Sequence, residues 1–546
     1  MKINKRNFKL FSVMGLCLML LLIVVFPLLA QEKGVLKIGV KSEPDNTNPL
    51  IAISSAFDSI IDKNVYNYLI IKDKDLKPVG GLAESWTISE DGLVWTFKLK
   101  EGIKWFDGED FTADDVVWTY STLINGEYPQ SIQLAGVTTC EKVDEYTVNL
   151  TTEAPKANME YVGIPIMPEH IYSKIPVEEL DTFSEENPVG TGPFELVEWK
   201  RGEFLRFKAN PDYYASTPHI DEIVYVVFAN TDTLMQALIA GEVDAITDVA
   251  QSQFKTLESY PNIKGVKASG MNFTELGFNC WENPISKGNP LVLDPKIRLA
   301  CDYAIDKQTL VDISLGGFGT PGTSLIPPSI GDWHWSPEED ELHRYDPAIA
   351  KQILEDAGYT DTNGDGIRED TDGNMLSFRF AVLTKYDYYV KSASIIQKNL
   401  QDIGIKTIIS TMDTGALCDL IYKQDFNTDM YLWRWSAEYD PTLKLSVLLT
   451  GQIGNRSDCF WSNKTYDALF LKQASQINRE ERIATVHEMQ KIAYEEAPYI
   501  ILFYIDALEA YRTDQFEGWT KVPTDNGCVV DQVNNKNSTR LNIRLK

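Results

Sequence analysis

Apolar positions along this chain follow two spacings, and the spacing predicts the elements. Residues 93–99 read LVWTFKL, with Val94, Trp95, Thr96 and Phe97 supplying the β-branched and aromatic side chains of a strand. Ser89-Glu90-Asp91-Gly92 before it and Phe106-Asp107-Gly108 after it are tight turns. Thr112-Ala113-Asp114-Asp115 then opens a helix, with Thr112 as N-cap and two acids where the helix dipole favours them. Farther along, a spacing of three and four takes over. Ile297, Cys301, Ala304 and Ile305 fall on one helical face behind Asp294-Pro295, an N-cap followed by proline at the first helical position. Asp346-Pro347 repeats that device ahead of Ile349, Ile353, Leu354 and Ala357, and Val486, Met489, Ile492 and Ala493 mark another helix. Strands are expected at 35–40, 243–246, 405–410 and 498–504, and helices at 231–240, closed by Gly241, and at 392–400. Such an interleaving of strands and helices describes an α/β protein.

The N-terminus has a different pattern. Lys2, Lys5, Arg6 and Lys9 precede an uncharged apolar run over residues 10–30 that ends Pro27-Leu28-Leu29-Ala30. This is the layout of a secretory signal with cleavage after Ala30, and the run is also long enough to span a bilayer as an uncleaved anchor. Cys17 lies inside the run, where a lipid-anchored signal would have it at the end. The body is therefore expected outside the cytoplasm, in the periplasm or at the outer face of the membrane.

Composition narrows the function. At 546 residues the chain is too long for one ordinary core and should divide into two or three lobes. A net charge of −28 argues against nucleic acid, which needs clustered lysine and arginine. Beyond the leader stand Cys140, Cys280, Cys301, Cys418, Cys459 and Cys528, none in a CxxC pair, so a thiolate metal site is not expected. An enzyme is not expected either: no GxSxG elbow occurs, and His487-Glu488-Met489-Gln490-Lys491 lacks the second histidine of a zincin. Gly190-Thr191-Gly192 is not followed by a phosphate-loop signature.

Two stretches carry candidate chemistry. In Asp361-Thr362-Asn363-Gly364-Asp365-Gly366, oxygen side chains at alternate positions before glycine form the pattern of a calcium loop. Asp361, Asn363, Asp365, Glu369 and Asp372 are the candidate ligands. Ile367 follows Gly366 directly and Asp372 replaces the closing glutamate, so a solvated turn competes. No cofactor is otherwise required. The second stretch runs from Trp433 to Pro441 and mixes three aromatic rings with Arg434, Ser436, Glu438 and Asp440. A binding cleft needs flat apolar surfaces and a few polar groups, and this stretch offers both. Trp433 and Trp435 share a face of a strand and serve either as ligand platforms or as core.

Several blocks, in order, resemble the extracytoplasmic solute-binding proteins of ABC transporters, family 5, the oligopeptide, dipeptide and nickel group. They are Leu82-Ala83-Glu84-Ser85-Trp86, Trp105-Phe106-Asp107-Gly108 with Thr112-Ala113-Asp114-Asp115-Val116, Asn187-Pro188-Val189-Gly190-Thr191-Gly192-Pro193-Phe194, and Gly241-Glu242-Val243-Asp244-Ala245. Arg298 and Ala304-Ile305-Asp306 stand where that family has an arginine and an Ala-Ile-Asp. The resemblance implies a periplasmic-binding-protein type II fold, two lobes with a hinge and an extra domain inserted in the first. Its segments would be a leader at 1–30, lobe 1 at 31–72, the insert at 73–187, lobe 1 again at 188–268, lobe 2 at 269–500 and a return to lobe 1 at 501–546. It implies a monomer that captures peptides by hinge closure and delivers them to an ABC permease. An oligosaccharide carrier of the same family and a sensor without transport role are the alternatives. In peptide-binding relatives an acid in the stretch matching 433–441 pairs with the ligand's α-ammonium group. Glu438 or Asp440 would take that role here, with Arg434, Ser436, Asn279 and Tyr504 as further ligand-binding candidates.

Overall fold

The computed structural model describes residues 34–423, 426–436, 438–523, 526–530 and 539–546. The leader or anchor expected at 1–30 lies outside them. Among the described residues no helix is long and apolar enough to cross a membrane.

The strands of the first part of the chain are β1 (Val35–Val40), β2 (Ile70–Lys72), β3 (Pro78–Gly80), β4 (Ala83–Ile88), β5 (Val94–Leu99), β6 (Val137–Asp144) and β7 (Thr147–Thr152). Then come β8 (Phe194–Lys200), β9 (Phe204–Ala209), β10 (Glu222–Val227), β11 (Ala245–Ile246) and the long β12 (Ile263–Phe278). The rest are β13 (Gly319–Pro321), β14 (Ser377–Leu383), β15 (Lys406–Met412), β16 (Met430–Ser436), the long β17 (Tyr499–Arg512), and the short pair β18 (Phe516–Glu517) and β19 (Arg544–Leu545). One sheet of 11 strands runs β15-β14-β16-β12-β17-β11-β1-β10-β9-β8, with β13 on β17. Strands β12 and β17 unite its two halves. Residues 263–268 of β12 pair with 512–507 of β17, where β11 also joins, whereas 272–277 pair with 505–499 beside β16. The register shifts between Ala268 and Asn272, so the sheet is irregular where it passes from one half to the other.

The packing separates accordingly. Leu36, Ile38, Phe194, Leu205, Phe207 and Tyr225 form one core, and Ile297, Cys301, Phe378, Phe380, Leu432 and Met489 belong to another. A third core holds Trp95, Phe97, Trp105 and Phe111 under the antiparallel sheet β4-β5-β7-β6. The helix Ala113–Asn125 covers that sheet with Val116, Tyr120 and Leu123. It starts as the sequence predicts: Asp114 N donates to Thr112 Oγ1 at 3.3 Å, and Thr112 N donates to Asp115 Oδ2 at 2.9 Å. Asp294 and Asp346 cap the helices Pro295–Ala304 and Pro347–Asp356, and Gly241 closes Thr231–Ala240 with φ 78°.

Gly190 brings the chain back from this smaller unit. A Cβ there would stand 1.8 Å from the carbonyl oxygen of Val65, so only glycine fits. Its own carbonyl accepts from Phe106 N at 3.0 Å, which ties the Trp105-Phe106-Asp107-Gly108 turn to the first lobe.

Candidate binding cleft

A cleft of about 610 Å³ lies where the three cores meet. Asp62, Tyr68, Lys72, Gln133, Lys156 and Tyr161 line one side, and Glu438, Tyr439, Asp440, Thr442, Leu443, Ser446 and Arg456 of lobe 2 line the other. That volume is ordinary for a small-ligand site. The inserted unit also touches lobe 2 directly: Ala157 N donates to Ala474 O at 2.9 Å, and Tyr161 lies edge-on to Trp333 with centroids 6.4 Å apart. One flank of the cleft is thereby closed.

Its lobe 2 wall begins where β16 ends. Two acids follow within three residues, and the structure gives them different surroundings. Asp440 is buried and bound to Arg482, whose Nη2 lies 2.7 Å from Oδ2 and 3.0 Å from Oδ1. Thr442 N donates to the same Oδ1 at 2.9 Å. Arg482 itself is 2% exposed and also donates to Gln473 Oε1, Thr442 Oγ1 and, from Nη1, the Ala157 carbonyl. Glu438 instead faces the cleft, with no hydrogen bond or ion pair to any described residue. Desolvation by the cleft walls raises its carboxyl above the usual range, while Lys444, Lys72 and Arg456 act in the opposite sense.

On the facing wall, β2 ends in Lys72. Its Nζ stands 4.4 Å from the centroid of Tyr439 and 5.6 Å from that of Tyr161. Lys156 Nζ donates to Ala135 O at 2.9 Å at the cleft edge. Behind Glu438, Lys444 is buried with Nζ 4.5 Å from the centroid of Trp435.

Of the eight ligand-binding candidates from sequence, Glu438 and Asp440 line the cleft. Trp433 and Trp435 do not line it; both are half-buried and pack against the lobe 2 core, Trp433 meeting Tyr422 edge-on at 6.5 Å. Arg434 lies 5.2 Å from the Tyr386 ring, and Ser436 Oγ donates to Asn272 Oδ1 at 2.6 Å or accepts from its amide after a flip. Asn279 is buried and donates to the carbonyls of Phe426 and Thr428. Tyr504 OH joins Ser324 N at 3.0 Å and Ser324 O at 2.8 Å. Arg298 is also committed, to the carbonyls of Val292, Leu293, Glu496 and Ala497. Lys72, Tyr161 and Arg456 were not singled out from sequence; each is a common residue type in a segment without a motif.

In the candidate calcium loop, carboxylate oxygens of Asp361, Asp365 and Glu369 lie within 4.8 Å of one another. Asn363 Nδ2 donates to Glu369 Oε1 at 2.7 Å, and Asp372 is not part of the group. The three carboxylates suit a hard cation. Their oxygens already accept from Gly364, Gly366, Ile367 and Thr362, which also suits a self-satisfied turn.

Two lobes built on one shared sheet, with an inserted third unit and a charged cleft between them, define a two-lobed solute-binding protein. Residues 77–455 match the family of bacterial extracellular solute-binding proteins, family 5 (middle part), and the chain belongs to that family. The oligopeptide-binding protein AppA of Bacillus subtilis is 29% identical over 484 residues, 87% of each chain. Heme-binding protein A of Haemophilus influenzae is 26% identical over 486 residues, 84% of each chain. The structure of Bacillus subtilis AppA in complex with a nonapeptide superposes with a TM-score of 0.71 at 26% identity, covering 94% of this chain and 99% of that one.

Proposed function

We propose that this protein captures peptides in the cleft between its lobes and delivers them to the membrane permease of an ABC importer. It acts outside the cytoplasm as a monomer, secreted by its N-terminal signal or held by that segment as an anchor, and performs no chemistry on the ligand. The observation that carries the reading is the division of labour between the two acids. Asp440 is spent on Arg482, while Glu438 is a carboxylate in the cleft without an ion pair or hydrogen bond among the described residues. An α-ammonium group is the natural partner for such a carboxylate, and the pair would be charge-assisted and poorly screened once the cleft closes. The relationship to an oligopeptide-binding protein supports the same ligand class. Oligosaccharide capture is less favoured, because Trp433 and Trp435 pack against the lobe 2 core and do not line the cleft, whose rings are Phe57, Tyr68, Tyr161 and Tyr439.

For the loop at 361–372 we propose a calcium ion held by Asp361, Asp365 and Glu369, supported by their convergence.

Thermal-shift screening of residues 31–546 against di- to penta-peptides, cello- and manno-oligosaccharides and nickel tests the main reading. A ligand at about 100 times its dissociation constant adds about 2.7 kcal/mol of stability, readily seen as a melting shift. Stabilisation by peptides is expected; stabilisation by sugars alone would overturn the peptide assignment.

A further inference from the structure

Lys72 is a cation in the cleft without a counter-charge of its own. Its ammonium makes no ion pair or hydrogen bond with any described residue, and its nearest neighbours are the two tyrosine rings at 4.4 and 5.6 Å. Aromatic faces attract a cation but do not replace the water or the anion it has lost. The carboxylates that act on it are Asp440 and Glu438, both across the cleft. Asp440 is already neutralised by Arg482, and Glu438 is the acid available for a ligand ammonium. Desolvation consequently lowers the Lys72 ammonium to about 8 despite both acids. The other charged groups on the cleft walls are Asp58, Asp62 and Glu160, with Lys156 and Arg456 as additional cations.

Resting on the peptide reading, we propose that Lys72 is a specificity-determining residue that receives a carboxylate of the bound peptide. Glu438 and Lys72 would then hold one zwitterionic ligand between the lobes, ammonium on one wall and carboxylate on the other. The cleft accordingly selects short peptides with a carboxylate near the N-terminus. That group is either an acidic side chain at the second residue or the C-terminus of a dipeptide.

Isothermal titration tests this with Ala-Glu-Ala-Ala-amide against Ala-Gln-Ala-Ala-amide, and with Ala-Ala against Ala-Ala-amide. The first comparison reports a side-chain carboxylate and the second a terminal one. Wild type is expected to prefer the acid at least tenfold in one of the comparisons. Lys72→Met, which keeps the apolar stem between the tyrosines, should abolish that preference and leave the amide affinities within twofold, whereas Lys72→Arg should retain it. The preference should also decline as pH rises from 7 to 9 in wild type but not in Lys72→Arg, a profile that a packing role would not produce. Equal binding of acid and amide by wild type overturns the role of Lys72 while leaving peptide capture standing. Equal losses for acid and amide in Lys72→Met do the same. Binding of none of these peptides or of any peptide in the broader screen overturns peptide capture, and this proposal with it.

Discussion

Arg482 and Asp440 form a buried ion pair, Nη2 to Oδ2 at 2.7 Å, directly behind the wall of the binding cleft. The arginine also donates to the carbonyl of Ala157 in the inserted unit at 3.4 Å, so one side chain joins the acid-bearing loop, lobe 2 and the insert. Removing one partner leaves the other as an uncompensated buried charge. Arg482→Met should therefore destabilise the protein by about 3–5 kcal/mol in urea denaturation, and Arg482→Met with Asp440→Leu should regain most of that loss. A single variant as stable as wild type would show that the pair does not hold the loop.

Glu438 should behave in the opposite way. Glu438→Gln removes no partnered charge, so its stability without ligand is expected within about 0.5 kcal/mol of wild type. Peptide affinity should drop by about 1.5–3 kcal/mol, the worth of a hydrogen bond to a charged group. Peptides acetylated at the N-terminus should bind both proteins alike. If the acetylated peptides bind wild type as tightly as the free ones, ammonium capture by Glu438 is wrong.

Gly190→Ala should cost about 1–3 kcal/mol or more, because the new methyl group would meet the Val65 carbonyl at 1.8 Å. Gly163→Ala is the control, since its nearest neighbour would be a side-chain oxygen at 3.8 Å. Melting temperatures of the two variants should separate clearly.

A pH dependence follows from two buried carboxylates. Glu275 and Asp458 are both 0% exposed. Burial raises both, with each other's charge adding to Glu275, and Asp458 reaches about 6. The native state thus holds protons that the unfolded chain has released above about 4.3. These groups make wild type lose stability as pH rises from the ordinary carboxylate range through their native values. Glu275→Gln removes one of them, so its stability relative to wild type should improve between pH 5 and pH 8. Denaturation curves at the two pH values give the sign directly, and a relative loss at pH 8 would contradict the argument.

Millimolar calcium should raise the melting temperature of wild type, and Asp361→Ala or Glu369→Ala should remove the response. Asp372→Ala should leave it intact. An unchanged melting temperature on adding calcium after chelation would identify the loop as a solvated turn.

Legibility from sequence depended on whether the signal was local. Thr112, Asp294 and Asp346 cap helices with their own side chains, so the sequence marks those starts without knowledge of the rest of the fold. The extent of β17 was less legible. The strand continues past residue 504 to Arg512 through Asp506 and Glu509, charged residues that interrupt the apolar run. Glu509 is in fact buried, accepting Val529 N at 2.7 Å and Val530 N at 3.1 Å from a distant segment. The cleft illustrates the same limit. Nothing near Lys72 in sequence distinguishes it among 51 lysines and arginines; its position between Tyr161 and Tyr439 comes from three separate segments. The stretch 433–441 was conspicuous, yet alternation along β16 and the Arg482 partnership decide which of its side chains reach a ligand.

The uninterrupted passage of β12 and β17 through both halves also constrains the mechanics of the molecule. With two adjacent, mutually bonded strands as its joint, one half can bend against the other more easily than it can slide past it, and the ladder is least regular at 268–272. Motion is then close to a single angle. A bulky occupant stops that angle early and a compact one lets it travel farther. The distance between the outer rims thus becomes a gauge of what lies inside, which a membrane partner can read without touching the cargo.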